Sequence, residues 1–237
     1  MLFGLFLGDW TILIVLPAFI FTLWAQFKVK STFSAYSKQA SIGGMTAAEA
    51  AEQLLHSKGI YNVEVKRVPG DLTDHYDPRN HTLNLSDSVY SSTSVAAIGV
   101  ACHEAGHAIQ HAQRYAPLAW RMKIIPACNL GSQLAMPLFF IGLLFASASG
   151  LGSGFMLAGI ACFSLSTLFQ LITLPVEFDA SNRAMAGIKE CGFLTKEERT
   201  GARNVLWAAA MTYVAALATS LLSLLRLVLI ANNSRRR

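Results

Sequence analysis

The sequence predicts a mainly α, multi-span membrane protein with one small α+β portion, and three observations predict it. Of the 237 residues, 53% are hydrophobic and 14% charged, with a mean hydropathy of +0.43, too apolar for an ordinary soluble domain. The apolar residues arrive in charge-free blocks long enough to cross a bilayer. Only residues 31 to 123 form a long polar stretch, roughly 90 residues, enough for a small domain that the membrane supports.

The first element is a span within residues 1–28. Between Asp9 and Lys28 lie 18 charge-free residues, WTILIVLPAFIFTLWAQF, about one crossing at ~20 residues per span. Trp10 and Trp24 stand near its ends, where interfacial aromatics belong. No basic residue precedes the block and no A-x-A site follows it, which argues against a cleaved signal peptide.

Residues 29–123 form the next expected segment, the polar one. TAAEAAEQLLHSKG (Thr46 to Gly59) pairs Thr46 with Glu49 as a capping box and places Gly59 after the last turn, a helix of about three turns. YNVEVKRV (Tyr61 to Val68) alternates and reads as a strand. Asp77-Pro78-Arg79-Asn80 fits a turn, and TLNLS a second short strand. Ser91 to Ser94 offer N-caps for the next helix, which carries HEAGH at residues 103 to 107.

From Ile124 to Val176 there are 53 residues without an acidic or basic side chain, too many for one span and enough for two. SGLGSG (Ser149 to Gly154) is the expected turn of this hairpin at 124–176. A polar segment at 177–204 follows, then a last span and basic tail at 205–237, in which Arg226 has to snorkel or face protein. Cys102, Cys128, Cys162 and Cys191 lack metal or redox spacing and read as free thiols.

The net charge of +5 resides largely in flanks such as Lys28–Lys30 and Arg235–Arg237, a pattern of topology and lipid-surface charge. The implied surroundings are a lipid bilayer, with no nucleic-acid partner. Lys28, Lys30, Lys38, Arg121 and Lys123 put residues 29–123 and 175–204 on the cytoplasmic face of a multi-pass cell-membrane protein, N-terminus outside. The terminal Arg235–Arg237 conflicts with that orientation, because four spans return the tail to the outside.

HEAGH is an H-E-x-x-H motif. On a helix, positions i and i+4 lie ~40° apart and one turn up, so His103 and His107 present two imidazoles on one face, able to grip one zinc ion. Glu104 stands beside the first ligand and reaches an activated water as general base. With 6 His and 8 Glu in the chain, the motif is expected by chance roughly 0.005 times. A structural histidine pair is the bland alternative, but it has no use for Glu104 in the apolar setting of AAIGVA.

Zinc needs a third ligand. His111 lies two turns from His103, about 12 Å along a regular helix and beyond one ion's reach, so it reads as a rim residue. Ile109 and Gln113 occupy the positions that the longer H-E-x-x-H-x-x-G-x-x-H motif requires as Gly and His. Glu177 is the first charged residue after the apolar block. An acid there can mark the membrane edge; topology favours ligation, because two intervening spans return the chain to the side it left.

HEAGHAIQHA, DHYDPRNHTLNLSDSVY and LPVEFDASNRA resemble the YugP-like membrane zinc metallopeptidase family over nearly the whole chain. The resemblance implies a membrane-embedded, zinc-dependent endopeptidase of gluzincin type, with a zincin-like catalytic portion. In it His103, His107 and Glu177 bind Zn2+ and Glu104 is the catalytic base. EFDAS also resembles the E-x-x-x-D pattern of membrane gluzincins, with Ser181 where their second acid stands and Asp179 two residues earlier. Either Asp179 or Ser181 is expected to orient a ligand imidazole.

The expected reaction is hydrolysis of a peptide or membrane-protein substrate. Tyr76, His75, Arg183 and Tyr213 are candidates for stabilising the oxyanion, and the HTLNLS strand is a candidate for pairing with an extended substrate. The rival class is a nonenzymatic membrane scaffold or chaperone with a structural zinc site.

Overall fold

A computed structural model describes residues 10 to 145 and 150 to 235. In chain order it holds α1 (Ile12–Tyr36), α2 (Ala47–Ser57), β1 (Glu64–Val68), β2 (His75–Asp77), β3 (Thr82–Ser86), α3 (Val95–Ala112), α4 (Ala116–Leu144), α5 (Gly150–Cys191) and α6 (Lys196–Arg235). Four helices, α1, α4, α5 and α6, are long and apolar enough to cross a membrane. The protein is mainly helical, with one small three-stranded sheet. The chain divides into two compact units.

One unit comprises Met1–Trp24, Trp120–Leu174 and Tyr213–Arg237. Phe139, Met156, Leu227, Ile230 and Ala231 form a buried cluster within it. Small residues let backbones approach: a β-carbon on Gly159 would stand 2.7 Å from the Ala135 carbonyl oxygen and 2.7 Å from the Phe139 nitrogen. Hydroxyl pairs add polar links between spans, Thr167 Oγ1 to Ser220 Oγ at 2.7 Å and Thr22 Oγ1 to Thr219 Oγ1 at 3.1 Å. Arg226 faces protein: its Nε donates to Thr11 Oγ1 at 3.3 Å.

The expected turn at Ser149–Gly154 is corrected. Gly150 to Gly154 belong to the first turns of α5, α4 ends at Leu144, and Ser149 lies outside the described residues. The close approach depends on Gly142 of α4, where a β-carbon would meet the Gly152 carbonyl oxygen at 2.6 Å, while β-carbons on Gly150 and Gly154 would meet nothing within 4 Å.

The other unit comprises Ala25–Ala119 and Pro175–Thr212. The capping box of α2 is present, with Thr46 Oγ1 accepting from the Glu49 nitrogen and Glu49 Oε2 accepting from the Thr46 nitrogen at 2.8 Å. Gly59 follows with φ +73°, the left-handed conformation that ends a helix. The strand expected from Tyr61 begins at Glu64. The turn forms as expected, with Asp77 Oδ1 accepting from the Arg79 nitrogen at 2.9 Å.

The sheet order is β1-β3-β2, with β1 parallel and β2 antiparallel to β3. β2 is an addition to the two expected strands; its three residues are too few for a periodic signal. β3 is buried along its whole length and flanked on both sides, so it cannot receive a substrate strand; that expectation is corrected. Ser94 caps α3, its Oγ accepting from the Ala97 nitrogen at 3.2 Å. The AAIGVA turns of α3 are core against Leu54, Leu83, Leu85, Ala184 and Ile188.

α1 and α5 run unbroken past residues 28 and 176, because no helix breaker follows either position. Glu177 therefore sits within a continuous helix. All four cysteines are free.

Candidate zinc site

The site is built from α3 and the part of α5 beginning at Pro175, both in the second unit. The helices meet where Gly106, inside HEAGH, lies against α5: a β-carbon there would stand 2.5 Å from the Ala180 carbonyl oxygen. Ala180 lies between Glu177 and Ser181, so this close approach brings both side chains to the motif histidines.

His103 and His107 stand edge to face with ring centroids 4.8 Å apart. Glu177 Oε2 lies 3.3 Å from His103 Nε2 and 3.6 Å from His107 Nε2. Its side chain is 2% exposed, and the histidine side chains 14% and 12%. The three ligand atoms lie within 4.8 Å of one another. A tetrahedral ion with bonds of ~2.0–2.1 Å needs donors roughly 3.3 Å apart, and two imidazoles with one carboxylate are a donor set that zinc enzymes use. The residues fit zinc.

The far nitrogen of each ring is also engaged. Ser181 Oγ lies 3.1 Å from His103 Nδ1, and Gln110 Oε1 lies 3.0 Å from His107 Nδ1. Gln110 is fully buried, and its Nε2 donates to the Val176 carbonyl and to Asp179 Oδ2, each at 2.8 Å. Asp179 also accepts from Arg183 Nε, and Arg183 Nη1 donates to Gln113 Oε1. Of the two candidates, Ser181 touches the His103 imidazole directly, while Asp179 touches Gln110, which touches the His107 imidazole.

Glu104 accepts a hydrogen bond from the Tyr76 nitrogen on its Oε2 at 3.0 Å, which ties β2 to the motif helix. Burial pushes its carboxyl pKa up, against the pull of His107 and His103; Glu177 and Asp74 add to the rise. Burial alone would lower the pKa of His107, but the hydrogen bond to Glu177 and the charges of Glu104 and Glu177 leave it raised.

Around the site, His111 lies outside the ligand group; its Nδ1 is 2.9 Å from Tyr76 Oη. Burial, with His81 nearby, lowers the pKa of His111. Burial, with the charge of Asp77, pushes the Tyr76 hydroxyl up to about 12, so it remains a donor at neutral pH. His75 is engaged by the Thr73 carbonyl and Asn84. Tyr213 belongs to the other unit.

With this geometry in view, the comparisons with known proteins decide the family. Residues 11–232 match the model of the family described as "Putative neutral zinc metallopeptidase". The chain belongs to that family. It is also 47% identical over 224 residues to the "Putative membrane protease YugP" of Bacillus subtilis (strain 168), covering 94% of this chain and 97% of that protein. No solved structure matches the chain significantly. Membership of a zinc metallopeptidase family agrees with the donor set, and the likeness to a membrane protease agrees with four helices able to span a bilayer.

Sequence reasoning missed Gln110, Gly106 and the Tyr76 backbone. The AIQHAQR stretch reads as a polar tail, yet Gln110 is core. One signal was available: Gln110 stands three residues after His107, the spacing at which helical side chains meet.

Proposed function

We propose that the chain is a membrane-embedded endopeptidase that hydrolyses peptide bonds, with zinc held by His103, His107 and Glu177 and with Glu104 as general base. The single observation that carries this reading is the carboxylate of Glu177 set against both Nε2 atoms of a motif whose intervening Glu104 is held by Tyr76. When bound, zinc supplies Lewis acidity, which acidifies a water and polarises the scissile carbonyl.

The residues do the rest. Glu104, one oxygen engaged by the Tyr76 N–H, has the other for taking a proton from the attacking water and passing it to the leaving amine. Ser181 and Gln110 fix the ligand rings, so the donors need little reorganisation. The Tyr76 hydroxyl, which rests 2.9 Å from His111 Nδ1, is the oxyanion donor, because the N–H of the same residue binds Glu104 and so places Tyr76 beside the base. The substrate is an extended segment of a peptide or membrane protein, laid beside β2, the outer strand nearest Glu104. The catalytic unit faces the cytoplasm.

Glu104→Gln in the full-length, detergent-solubilised protein tests this reading. Zinc content should stay at one per chain, while cleavage of an unfolded polypeptide falls by at least about 10²-fold, the scale of general-base catalysis. Undiminished cleavage overturns it. Function in the cell that survives the same substitution favours the scaffold reading.

A further inference from the structure

We propose that Gln110 is a positioning residue of the zinc site: it holds His107 in the tautomer that presents Nε2 to the ion, and Val176 and Asp179 hold Gln110 in turn. The inference rests on the reading of His103, His107 and Glu177 as zinc ligands.

The argument is one of donors and acceptors. The amide of Gln110 has two N–H donors and one oxygen. Its Nε2 lies 2.8 Å from the Val176 carbonyl oxygen and 2.8 Å from Asp179 Oδ2. A backbone carbonyl can only accept. Asp179 Oδ2 also takes the Nε–H of Arg183, so it too is an acceptor. Both amide hydrogens are thereby assigned, and the reversed amide would set its oxygen against two other oxygens. Oε1 must therefore face His107, where it lies 3.0 Å from Nδ1.

An amide oxygen has no proton to give, so the proton of this contact is on Nδ1. A neutral imidazole protonated at Nδ1 carries its lone pair on Nε2, the atom turned toward Glu177. His103 is held differently. Its Nδ1 faces the hydroxyl of Ser181 at 3.1 Å, and a hydroxyl can accept or donate, so that contact imposes no tautomer. Gln110 supplies to the second imidazole what a carboxylate supplies in carboxylate–histidine–zinc arrangements, with the charge set one bond outward on Asp179.

The test measures zinc affinity of the full-length protein in detergent, by competition with a chromophoric chelator, with thermal melting of each variant as the check on folding. Gln110→Met keeps the bulk and removes all three hydrogen bonds; zinc should bind about 10- to 100-fold more weakly, with a changed visible spectrum of the Co2+-substituted protein. Asp179→Asn should weaken zinc in the wild-type background and have no further effect beside Gln110→Met, because Asp179 acts through Gln110. If Gln110→Met does not fold, Asp179→Asn carries the test: a neutral amide accepts from Gln110 more weakly than the carboxylate does, so zinc should still bind several-fold more weakly than in wild type.

Folded Gln110→Met with zinc affinity within about twofold of wild type overturns the proposal, as does an Asp179→Asn protein that binds zinc as wild type does. If wild type binds no zinc, or His103→Ala keeps it, the metal site itself is misassigned. If those controls behave and Gln110→Met is silent, only the positioning role falls.

Discussion

Gly106 of the motif helix faces the carbonyl of Ala180, and a β-carbon on Gly106 would stand 2.5 Å from that oxygen. The atom it would strike is backbone, so no side chain can swing aside. Gly106→Ala should push α3 and α5 apart between Glu177 and Ser181. A displacement of ~1 Å there should cost about 10²-fold in peptidase activity and weaken zinc measurably. Paired zinc titrations and activity assays check it; a fully active Gly106→Ala protein means the helices can separate without disturbing the site.

The ligand set gives a contrast between two polar residues. Glu177→Ala should remove most zinc, whereas His111→Ala should keep it at one per chain, because Glu177 reaches both imidazoles and His111 stands with Tyr76. Glu177→Asp withdraws the carboxylate by one methylene, more than a bond of ~2 Å tolerates without rearrangement. Metal analysis of purified variants decides it, and zinc kept by Glu177→Ala but lost by His111→Ala sinks the assignment.

Tyr76→Phe removes the hydroxyl and leaves the backbone N–H that holds Glu104. The turnover number should fall by about 10²- to 10³-fold, the range for losing one oxyanion donor, with zinc content unchanged. An unchanged turnover number returns Tyr76 to a plain structural role beside His111.

Asp74 supports the strand that bears Tyr76, accepting from the Ser86 nitrogen at 2.8 Å. Burial raises its pKa, against the hydrogen bonds from Ser86, and the charge of Asp71 adds to the rise. A raised folded-state pKa means the folded protein binds the proton more tightly than the unfolded chain does. Stability is therefore lost as pH climbs from the unfolded value through the raised one, and the loss is constant above it. Melting temperatures of Asp74→Asn relative to wild type should rise across that acidic window and level off toward neutrality. A difference independent of pH contradicts the assignment.

Orientation is open to direct labelling. In a cysteine-free background, a cysteine introduced near residue 40 should react with a membrane-impermeant reagent only after the cell is opened, and one near residue 235 from outside. External labelling near residue 40 means that the protein is inverted.

Much of this architecture was legible in the chain because it rests on local or one-dimensional signals. Thr46 and Glu49 are three residues apart, His103 and His107 four, and the return of Glu177 follows from counting spans. What stayed hidden depends on a partner far away in sequence. Gln110 looks like surface until Val176 and Asp179 take its amide hydrogens, 66 and 69 residues on. Gly142 gives no sign of its role until α4 and α5 are seen to touch there. β2 has too few residues to signal itself, and β3 gave no sign that both its edges would be covered.

The 74 residues separating His103 from Glu177 also order events in time. Between them the ribosome must make all of α4 and the apolar first part of α5. Throughout that interval the nascent chain carries the HEAGH helix without Glu177. On the proposed reading, the site gains its third ligand only after the third long apolar helix has been made.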